Sequence, residues 1–262
     1  MARPVTRPQY AQIAVLVAAM VFFLLPWISA AMFGFSRPGD PFTFANLTEV
    51  FQQGRAWESI TATLLLAVAA TVVSLVLLVP TLMFLHLRAP SLLRIADSLS
   101  VLPMVVPAVA LVSGAAIFFR AISPSFLVSL WSLVPFYVVM SMPLVYRALD
   151  TGVRALDLRT LWSASSSVGA NWLQTILRVV LPNMRPALVS AALLCFAMVL
   201  GEFAIASLLL HYTFPVFTVE VGGNNPRGAA ALSVLTMIVT WILLVVISSA
   251  GRRTRTTRKA SS

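Results

Sequence analysis

Six long apolar runs constrain the fold of this chain more than any other feature of its 262 residues. A helix needs about 20 mainly apolar residues to cross the hydrocarbon of a bilayer. Backbone polar groups cannot stay unpaired there, so such runs are predicted to be helices. The expected fold class is therefore all-α, a polytopic membrane helix bundle of about six transmembrane helices. The predicted spans are Gln12–Phe35, Ser59–Leu85, Ser98–Phe119, Ser125–Tyr146, Ala187–Leu210 and Ala229–Ala250.

Composition agrees with a chain that lies mainly in lipid. Hydrophobic residues make up 60% of the sequence and charged residues 10%, whereas soluble domains carry about 25% charged residues. The net charge of +10 does not indicate nucleic-acid binding, because the basic residues lie between the apolar runs and not on one face. The single cysteine, Cys195, lies inside an apolar run and is expected to be buried, with no disulfide or metal site.

The basic residues predict how the spans are oriented. An even number of spans places both termini on one side, and that side would carry most of the basic residues: Arg3, Arg7, Arg88, Arg94, Arg147, Arg154, Arg159, Arg178, Arg185, Arg252, Arg253, Arg255, Arg258 and Lys259. The other side would carry only Arg37, Arg55, Arg120 and Arg227. Lys and Arg are enriched in cytoplasmic loops. We therefore expect a multi-pass protein of the inner (plasma) membrane with both termini in the cytoplasm.

Four parts are expected along the chain. They are a cytoplasmic tail (1–11), the first span with an outer loop (12–56), the main transmembrane domain (57–250) and a basic cytoplasmic tail (251–262). The first apolar run is longer than the core of a signal peptide, about 7–15 residues, so an uncleaved span is expected. A cleaved signal peptide is the alternative, because the run contains Ser29-Ala30-Ala31. The basic tail is interpreted as a stop signal with a disordered end, with binding to anionic lipid as the alternative. Prolines inside the spans predict kinks: Pro26, Pro80, Pro103, Pro107, Pro135 and Pro143.

The longest loop, Arg147 to Pro186, lies on the predicted cytoplasmic side and has a helical pattern of its own. A first helix is predicted over Arg154–Val168, and Gly169 suits its end because a left-handed residue is favoured there. Asn171 is predicted to cap a second helix, with apolar residues at helical spacing from Trp172 to Val180. Leu181-Pro182 is predicted to end it. The exposed apolar stripe would lie on the membrane surface or dock in a groove of another protein.

Part of this loop resembles the cytoplasmic signature of ATP-binding-cassette (ABC) importer permeases, which reads Glu-Ala-Ala-x3-Gly-x9-Ile-x-Leu-Pro. The matching positions are Ser163, Ala164, Ser165, Gly169, Val179, Leu181 and Pro182. Ser163 replaces the family glutamate, Ser165 replaces the second alanine and Val179 replaces the isoleucine. The resemblance implies that the 154–182 segment forms coupling helices, which bind the ATPase subunit.

Two other segments resemble the branch of this family that imports polyamines, oxyanions, ferric iron or thiamine. They are Phe196–Phe203, with its Gly201-Glu202-Phe203 sequence, and the opening Ser59–Leu64. The resemblance implies a pair of permease subunits, identical or different, around one path. We expect the cargo to be a small polar solute, with a polyamine-like molecule as the first interpretation.

The sequence excludes ATP hydrolysis by a phosphate-binding loop, because no Gly-x4-Gly-Lys-Ser/Thr motif occurs. No cofactor, metal site or catalytic residue is predicted, since metalloprotease and serine-hydrolase motifs are also absent. An ATP-driven machine would therefore need a separate ATPase chain. The outer loops are too short for a capture domain, so an extracytoplasmic solute-binding protein would deliver the cargo. The alternatives are a self-sufficient secondary transporter and a non-transport membrane scaffold.

Glu202 is the one acidic residue inside a predicted span. A charge in the middle of the membrane costs about 2.5–3.5 kcal/mol on insertion scales, so it should be partnered, face water or be protonated. Two interpretations stay open. Glu202 lines the translocation path, where it would meet a cationic cargo or a gate, or it forms hydrogen bonds between helices or across the subunit interface.

Overall fold

The structure, a computed structural model, describes residues 8–52 and 54–256. Within these ranges the chain is helical, apart from turns and one isolated bridge between Arg37 and Asp40. The helices are α1 Pro8–Gly34, α2 Ala45–Gln52, α3 Arg55–Arg88, α4 Leu93–Val105, α5 Ala108–Ile122, α6 Pro124–Val128, α7 Leu133–Arg154, α8 Leu158–Ser167, α9 Trp172–Thr175, α10 Leu181–Asn183, α11 Arg185–Leu200, α12 Ala204–Leu208, α13 Phe214–Asn224 and α14 Pro226–Thr256. Short 3-10 turns precede α4 and α7, and a π-helical turn, Ile176–Val180, joins α9 to α10.

Four stretches of the described chain are long and apolar enough to cross a membrane by themselves: Ala11–Gly34, Arg55–Arg88, Leu130–Arg154 and Pro226–Val246. Two bent helix pairs raise the number to six if each counts as one span. The pairs are Pro90–Val105 with Ala108–Ile122 and Trp172–Asn183 with Arg185–Leu200. The predicted all-α, polytopic fold class is confirmed.

The third predicted span, Ser98–Phe119, is wrong as a continuous helix. The chain bends by 101° between α4 and α5. Val106 is extended (φ −81°, ψ 121°) because it precedes Pro107, whose ring disfavours a helical conformation at the residue before it. Pro107 therefore breaks the span, where only a kink was expected.

The fourth and fifth predicted spans also have wrong boundaries. The predicted Ser125–Tyr146 begins with α6 and an extended residue, Ser129, and the long helix α7 runs on to Arg154. An ion pair one helical turn apart, between Asp150 and Arg154, favours this extension. The predicted Ala187–Leu210 is interrupted after α11, where Gly201 ends the helix and Ala204 begins α12.

The termini lie partly outside the described residues. Residues 1–7 of the predicted N-terminal tail and 257–262 of the predicted basic tail are among them, including Arg3, Arg7, Arg258 and Lys259. Helix α14 continues to Thr256, so the basic tail predicted from residue 251 begins as helix. Arginine is a good helix former, which explains why the helix does not stop where the apolar run stops.

The chain divides into two compact units. The first contains residues 1–56 and 217–239. Its buried Asn46 on α2 donates to the carbonyls of Gly34 (2.7 Å) and Ser36 (3.1 Å), and accepts from Arg37 Nε at 2.6 Å. Arg227 at the start of α14 also donates to the Ser36 carbonyl, at 2.6 Å. These bonds hold the end of α1, the short helix α2 and the start of α14 together.

The second unit contains residues 57–216 and 240–262, and its core lies between α3, α7 and α11. Large side chains such as Leu82, Tyr137 and Leu149 are fully buried there. Cys195 is buried as predicted, and its sulfur lies 3.3 Å from the Ser141 hydroxyl. The three long helices thus form the scaffold from which the predicted cytoplasmic loop extends.

Candidate functional site

The coupling loop, as we call the connection between α7 and α11, starts and ends on two helices that lie side by side. It was predicted as Arg147 to Pro186, but α7 continues to Arg154 and α11 begins at Arg185, so the true connection is shorter. Gly152 near the end of α7 lies so close to Ala187 that an added Cβ would overlap the Ala187 side chain. The two ends of the loop are therefore fixed against each other.

The first helix of the loop, α8, is capped at its start by Asp157. This carboxylate accepts hydrogen bonds from the Thr160 backbone N–H (3.2 Å) and the Thr160 hydroxyl (2.7 Å). The same bonds to Thr160 hold the pKa of Asp157 below its usual value. The helix is predicted over Arg154–Val168 and spans Leu158–Ser167, because Asp157 is a strong capping residue.

Ser163 and Ser165, which replace family residues, differ in how far they are exposed. Ser163 and Ala164 are exposed on α8, so both can meet a partner. Ser165 is buried, and its hydroxyl donates to the Leu161 carbonyl at 2.7 Å. The buried Ser165 hydroxyl therefore has a hydrogen-bond acceptor within its own helix.

Gly169 forms the turn between the two loop helices, with a positive φ of 79°. The Ala170 N–H donates to the Ser165 carbonyl (3.1 Å), and the Gly169 N–H donates to the Ser166 carbonyl (3.0 Å). This pair of bonds is the Schellman arrangement, which satisfies carbonyls at a helix end and favours glycine in the left-handed position. The geometry predicted for Gly169 is confirmed.

The second helix of the loop starts with a complete capping box. The Asn171 side chain accepts from the Gln174 N–H at 2.8 Å, and the Gln174 side chain accepts from the Asn171 N–H at 3.1 Å. The rings of Trp162 and Trp172 lie 4.8 Å apart, between their centroids, and hold the two helices together. The capping role predicted for Asn171 is confirmed.

The predicted end of this helix at Leu181-Pro182 is wrong. Leu181 is helical (φ −55°, ψ −45°), and α10 continues through Pro182 to Asn183. The π-helical turn Ile176–Val180 precedes the proline, and its backbone hydrogen bonds follow the wider π-helical spacing. The helix thereby accommodates Pro182, which has no N–H to donate. Val179 and Leu181 are half-buried, and Pro182 is exposed.

The apolar stripe of the second helix is divided between the core and the surface, whereas the pattern predicted that all of it would be exposed. Ile176 and Val180 are buried in the core of the second unit. Leu173 and Leu177 are 61% and 53% exposed, and Val168 beside the turn is 84% exposed. We call these three residues, Val168, Leu173 and Leu177, the apolar docking residues. Exposed arginines occur in the same loop at Arg159 and Arg178, and Arg185 is exposed where α11 begins.

Glu202 lies in the interruption between α11 and α12, where its carboxylate accepts backbone hydrogen bonds. The Ile205 N–H donates to Oε1 at 2.8 Å, and the Ala206 N–H donates to Oε2 at 3.4 Å. Glu202 thus caps a short helical segment inside the predicted membrane region.

A second polar group lies just after α12. Nε2 of His211 is 2.9 Å from the Leu127 carbonyl oxygen and 3.0 Å from the Ser132 hydroxyl. A carbonyl only accepts, so Nε2 carries the proton in this arrangement. Burial lowers the pKa of His211 and the Leu127 bond raises it, with a net lowering.

A cluster of ionisable side chains was not predicted from the sequence. His86, Asp97, Asp150 and Arg154 meet where α3 ends, α4 begins and α7 ends. Asp150 and Arg154 lie one helical turn apart, a spacing that indicates an ion pair and gave the only sequence signal. The participation of His86 had no such signal, because it lies far away along the chain.

The fold and the loop together define a class of protein, a polytopic membrane protein with a helix–turn–helix in one connection between its helices. The chain belongs to the family of binding-protein-dependent transport system inner membrane components, whose family model matches residues 83–254. This match confirms the family that the loop motif predicted. It also places the chain in a transport system.

Two relatives and one solved structure extend the comparison. A probable ABC transporter permease of Sinorhizobium fredii is 26% identical over 93% of this chain, and the match covers 46% of that protein. The chain thus spans less than half the length of this relative. A permease of Salmonella paratyphi A named for 2-aminoethylphosphonate transport is 23% identical over 90% of this chain and 92% of its own length.

The solved structure shows the same fold. It is a bacterial alginate ABC transporter in complex with an alginate pentasaccharide-bound periplasmic protein. One of its chains aligns with a TM-score of 0.70 at 16% identity, over 94% of this chain and 95% of that chain.

Proposed function

We propose that this chain is the permease subunit of an ATP-driven importer and that it binds a separate ABC ATPase through the coupling loop, within residues 154–182. The observation that carries the proposal is the structure of the loop itself. Two capped helices meet at Gly169 and expose three apolar side chains. The chain also belongs to a family of transport-system membrane components. An exposed apolar patch is typical of a site that binds another protein or a membrane, and the predicted cytoplasmic position of the loop favours a protein partner.

The chemistry of the loop describes the ATPase surface that it fits. The apolar docking residues require an apolar groove, and the exposed Arg159 and Arg178 favour an acidic rim. Ser163 brings no charge where the family has glutamate, so the groove needs no basic residue opposite it.

The rest of the assembly follows from the family. We propose a second permease subunit, the same chain or another, which completes the translocation path. An extracytoplasmic solute-binding protein delivers the cargo, and the alginate transporter supports this role because its structure includes a periplasmic protein with a bound alginate pentasaccharide. The basic side of the chain, with both termini, faces the cytoplasm.

For the cargo we propose a small polar solute. A polyamine-like molecule stays a prediction of the sequence, whereas the Salmonella permease is named for a phosphonate and the solved structure for a polysaccharide. We also propose that Glu202 joins the two pieces of the fifth span and does not contact cargo. The support is that both of its oxygens accept backbone hydrogen bonds from α12.

Co-purification tests the ATPase partnership. The tagged chain is isolated from its native membrane in mild detergent, and the proteins that accompany it are identified by mass spectrometry. We expect a nucleotide-binding ATPase with the unchanged chain and with Leu173→Met, which keeps an apolar side chain. Leu173→Glu places a charge on an exposed docking residue and should release the ATPase while leaving the amount of inserted chain unchanged.

Two results would contradict the proposal. One is recovery of the unchanged chain without an ATPase, under conditions that preserve other ABC complexes. The other is equal recovery of the ATPase with Leu173→Glu and Leu173→Met.

A further inference from the structure

Four ionisable side chains from three helices form a continuous cluster at the predicted cytoplasmic ends of the spans. His86 Nε2 on α3 is 2.8 Å from Asp150 Oδ1 on α7. The other Asp150 oxygen accepts from Arg154 Nε at 2.6 Å. Arg154 also extends to Asp97 on α4, with Nη2 and Oδ2 3.8 Å apart. Asp150 is thus the centre of a chain of contacts that joins α3, α7 and α4, which we call the charge cluster.

The inner part of the charge cluster is shielded from solvent and the outer part is not. The side chains of His86 and Asp150 are 15% and 14% exposed, whereas those of Arg154 and Asp97 are 53% and 46% exposed. Shielded charges are costly, and apolar residues of similar size often hold helices together at least as well. Stability alone is therefore a weak reason for this cluster, and its directional contacts favour a role in fixing how the helix ends are positioned.

The position of the charge cluster connects it with the coupling loop. Arg154 is the last residue of α7, and Asp157, three residues later, caps the first loop helix. Gly152, between Asp150 and Arg154, packs against Ala187 at the start of α11. A displacement of the loop helices therefore acts first on the last turn of α7, which carries both Asp150 and Arg154.

We propose that the charge cluster makes the cytoplasmic ends of α3 and α4 follow α7 when the coupling loop moves. His86 is the positioning residue for α3, and Asp97 is the positioning residue for α4. An ionised carboxylate only accepts, so Nε2 of His86 is the donor in the hydrogen bond to Asp150. The inference rests on the proposed ATPase coupling, since it assigns the route by which that coupling reaches the second and third spans.

The experiment measures whether α3 and α7 move together in the complete complex with its ATPase. Spin labels are placed at Arg88→Cys and Arg147→Cys, two positions near the predicted cytoplasmic ends of α3 and α7, in a Cys195→Ala background. Pulsed electron paramagnetic resonance gives the distance between them without nucleotide and after trapping with ATP and vanadate. We expect one narrow distance distribution, the same in both states.

His86→Leu and His86→Gln separate positioning from packing. Leucine removes the bond to Asp150, so the narrow distribution should be lost and a nucleotide-dependent shift should appear. Glutamine keeps an amide donor and should restore the single distance. An unchanged single distance in His86→Leu, in both states, would overturn the proposal.

Two further measurements keep the result interpretable. Asp97→Asn changes an exposed member of the cluster, and it provides a second test of the proposal if His86→Leu does not fold. It should broaden the distance between labels at Arg94→Cys and Arg147→Cys, and no broadening would overturn the role of Asp97. The ATPase should co-purify with each variant at the level of the unchanged chain. Absence of the ATPase already from the unchanged chain would instead show that the coupling assignment itself fails.

Discussion

A carboxylate between two pieces of a membrane helix is stable only if its oxygens find donors. Glu202 finds them in the backbone N–H groups of Ile205 and Ala206. We predict that Glu202→Ala lowers the free energy of unfolding by about 1–2 kcal/mol, the usual effect of losing a helix cap. Thermal unfolding of the purified chain in detergent measures this effect.

Glu202→Gln is the matched control, because its amide oxygen can still accept the shorter bond, from Ile205. It should lose less stability than the alanine variant. If both variants were as stable as the unchanged chain, the capping role would be wrong and the path-lining interpretation would regain support.

At the scale of single residues, His211 is also expected to make the stability of the folded chain depend on pH. Its pKa in the folded chain lies below the ordinary value because burial disfavours the charged form. The unfolded chain therefore binds the proton first as pH falls, and stability should decrease from pH 7 downward, through about 6.5, the ordinary histidine pKa. The apparent melting temperature measured across this range should fall.

His211→Gln removes the titrating group but keeps an amide donor for the Leu127 carbonyl. The part of the pH dependence that His211 contributes should disappear in this variant. The slope that remains would come from other groups. An identical slope in the variant and the unchanged chain would contradict the prediction.

Single residues differ in how far the sequence could predict their roles. Gly169 and Asn171 were predictable because caps and turns depend on neighbours along the chain, and both act as expected. Glu202 was singled out because it is the one acid in a predicted span, but its partners were not predictable. They are backbone groups, and they became available only because the helix is interrupted before them.

The packing of α7 against α11 is the contact on which the position of the coupling loop depends. Gly152 touches Ala187, so Gly152→Ala should push the two helices apart and cost about 1–3 kcal/mol, as overpacking does. Thermal unfolding in detergent measures the loss, and ATPase co-purification should fall with it.

Gly114 on α5 provides the control for this substitution. A Cβ there meets no other atom within 4 Å, so Gly114→Ala should be neutral or stabilise the helix by up to about 1 kcal/mol. Equal effects of the two alanine variants would show that α7 and α11 are not tightly packed at this point.

At the scale of whole helices, hydropathy predicted where the membrane spans lie better than it predicted whether each span is one continuous helix. The first, second and sixth spans were placed within a few residues, since each is one unbroken apolar helix. The third span was predicted as one helix because apolar length carries no information on direction, and the 101° bend depends on Pro107. The coupling loop was predictable as two helices, but the inward side of the second one depends on packing against distant segments.

The distribution of basic residues predicts the orientation of the whole molecule. The chain has one cysteine, and it is buried, so introduced cysteines can be labelled selectively. In sealed cells a membrane-impermeant maleimide should label Phe42→Cys, in the predicted outer loop, and leave Ser166→Cys, in the coupling loop, unlabelled. Inverted vesicles should give the opposite pattern, and labelling of Ser166→Cys in intact cells would show that the orientation is wrong.

The contact between Gly152 and Ala187 has a consequence for how such proteins diversify. Because it closes the base of the coupling loop, the segment between α7 and α11 leaves and returns to the spans at nearly the same place. A loop of this kind can be exchanged between related chains without rebuilding either helix. On the proposed coupling, exchanging this one loop is expected to change the ATPase that the chain binds, while the spans themselves stay the same.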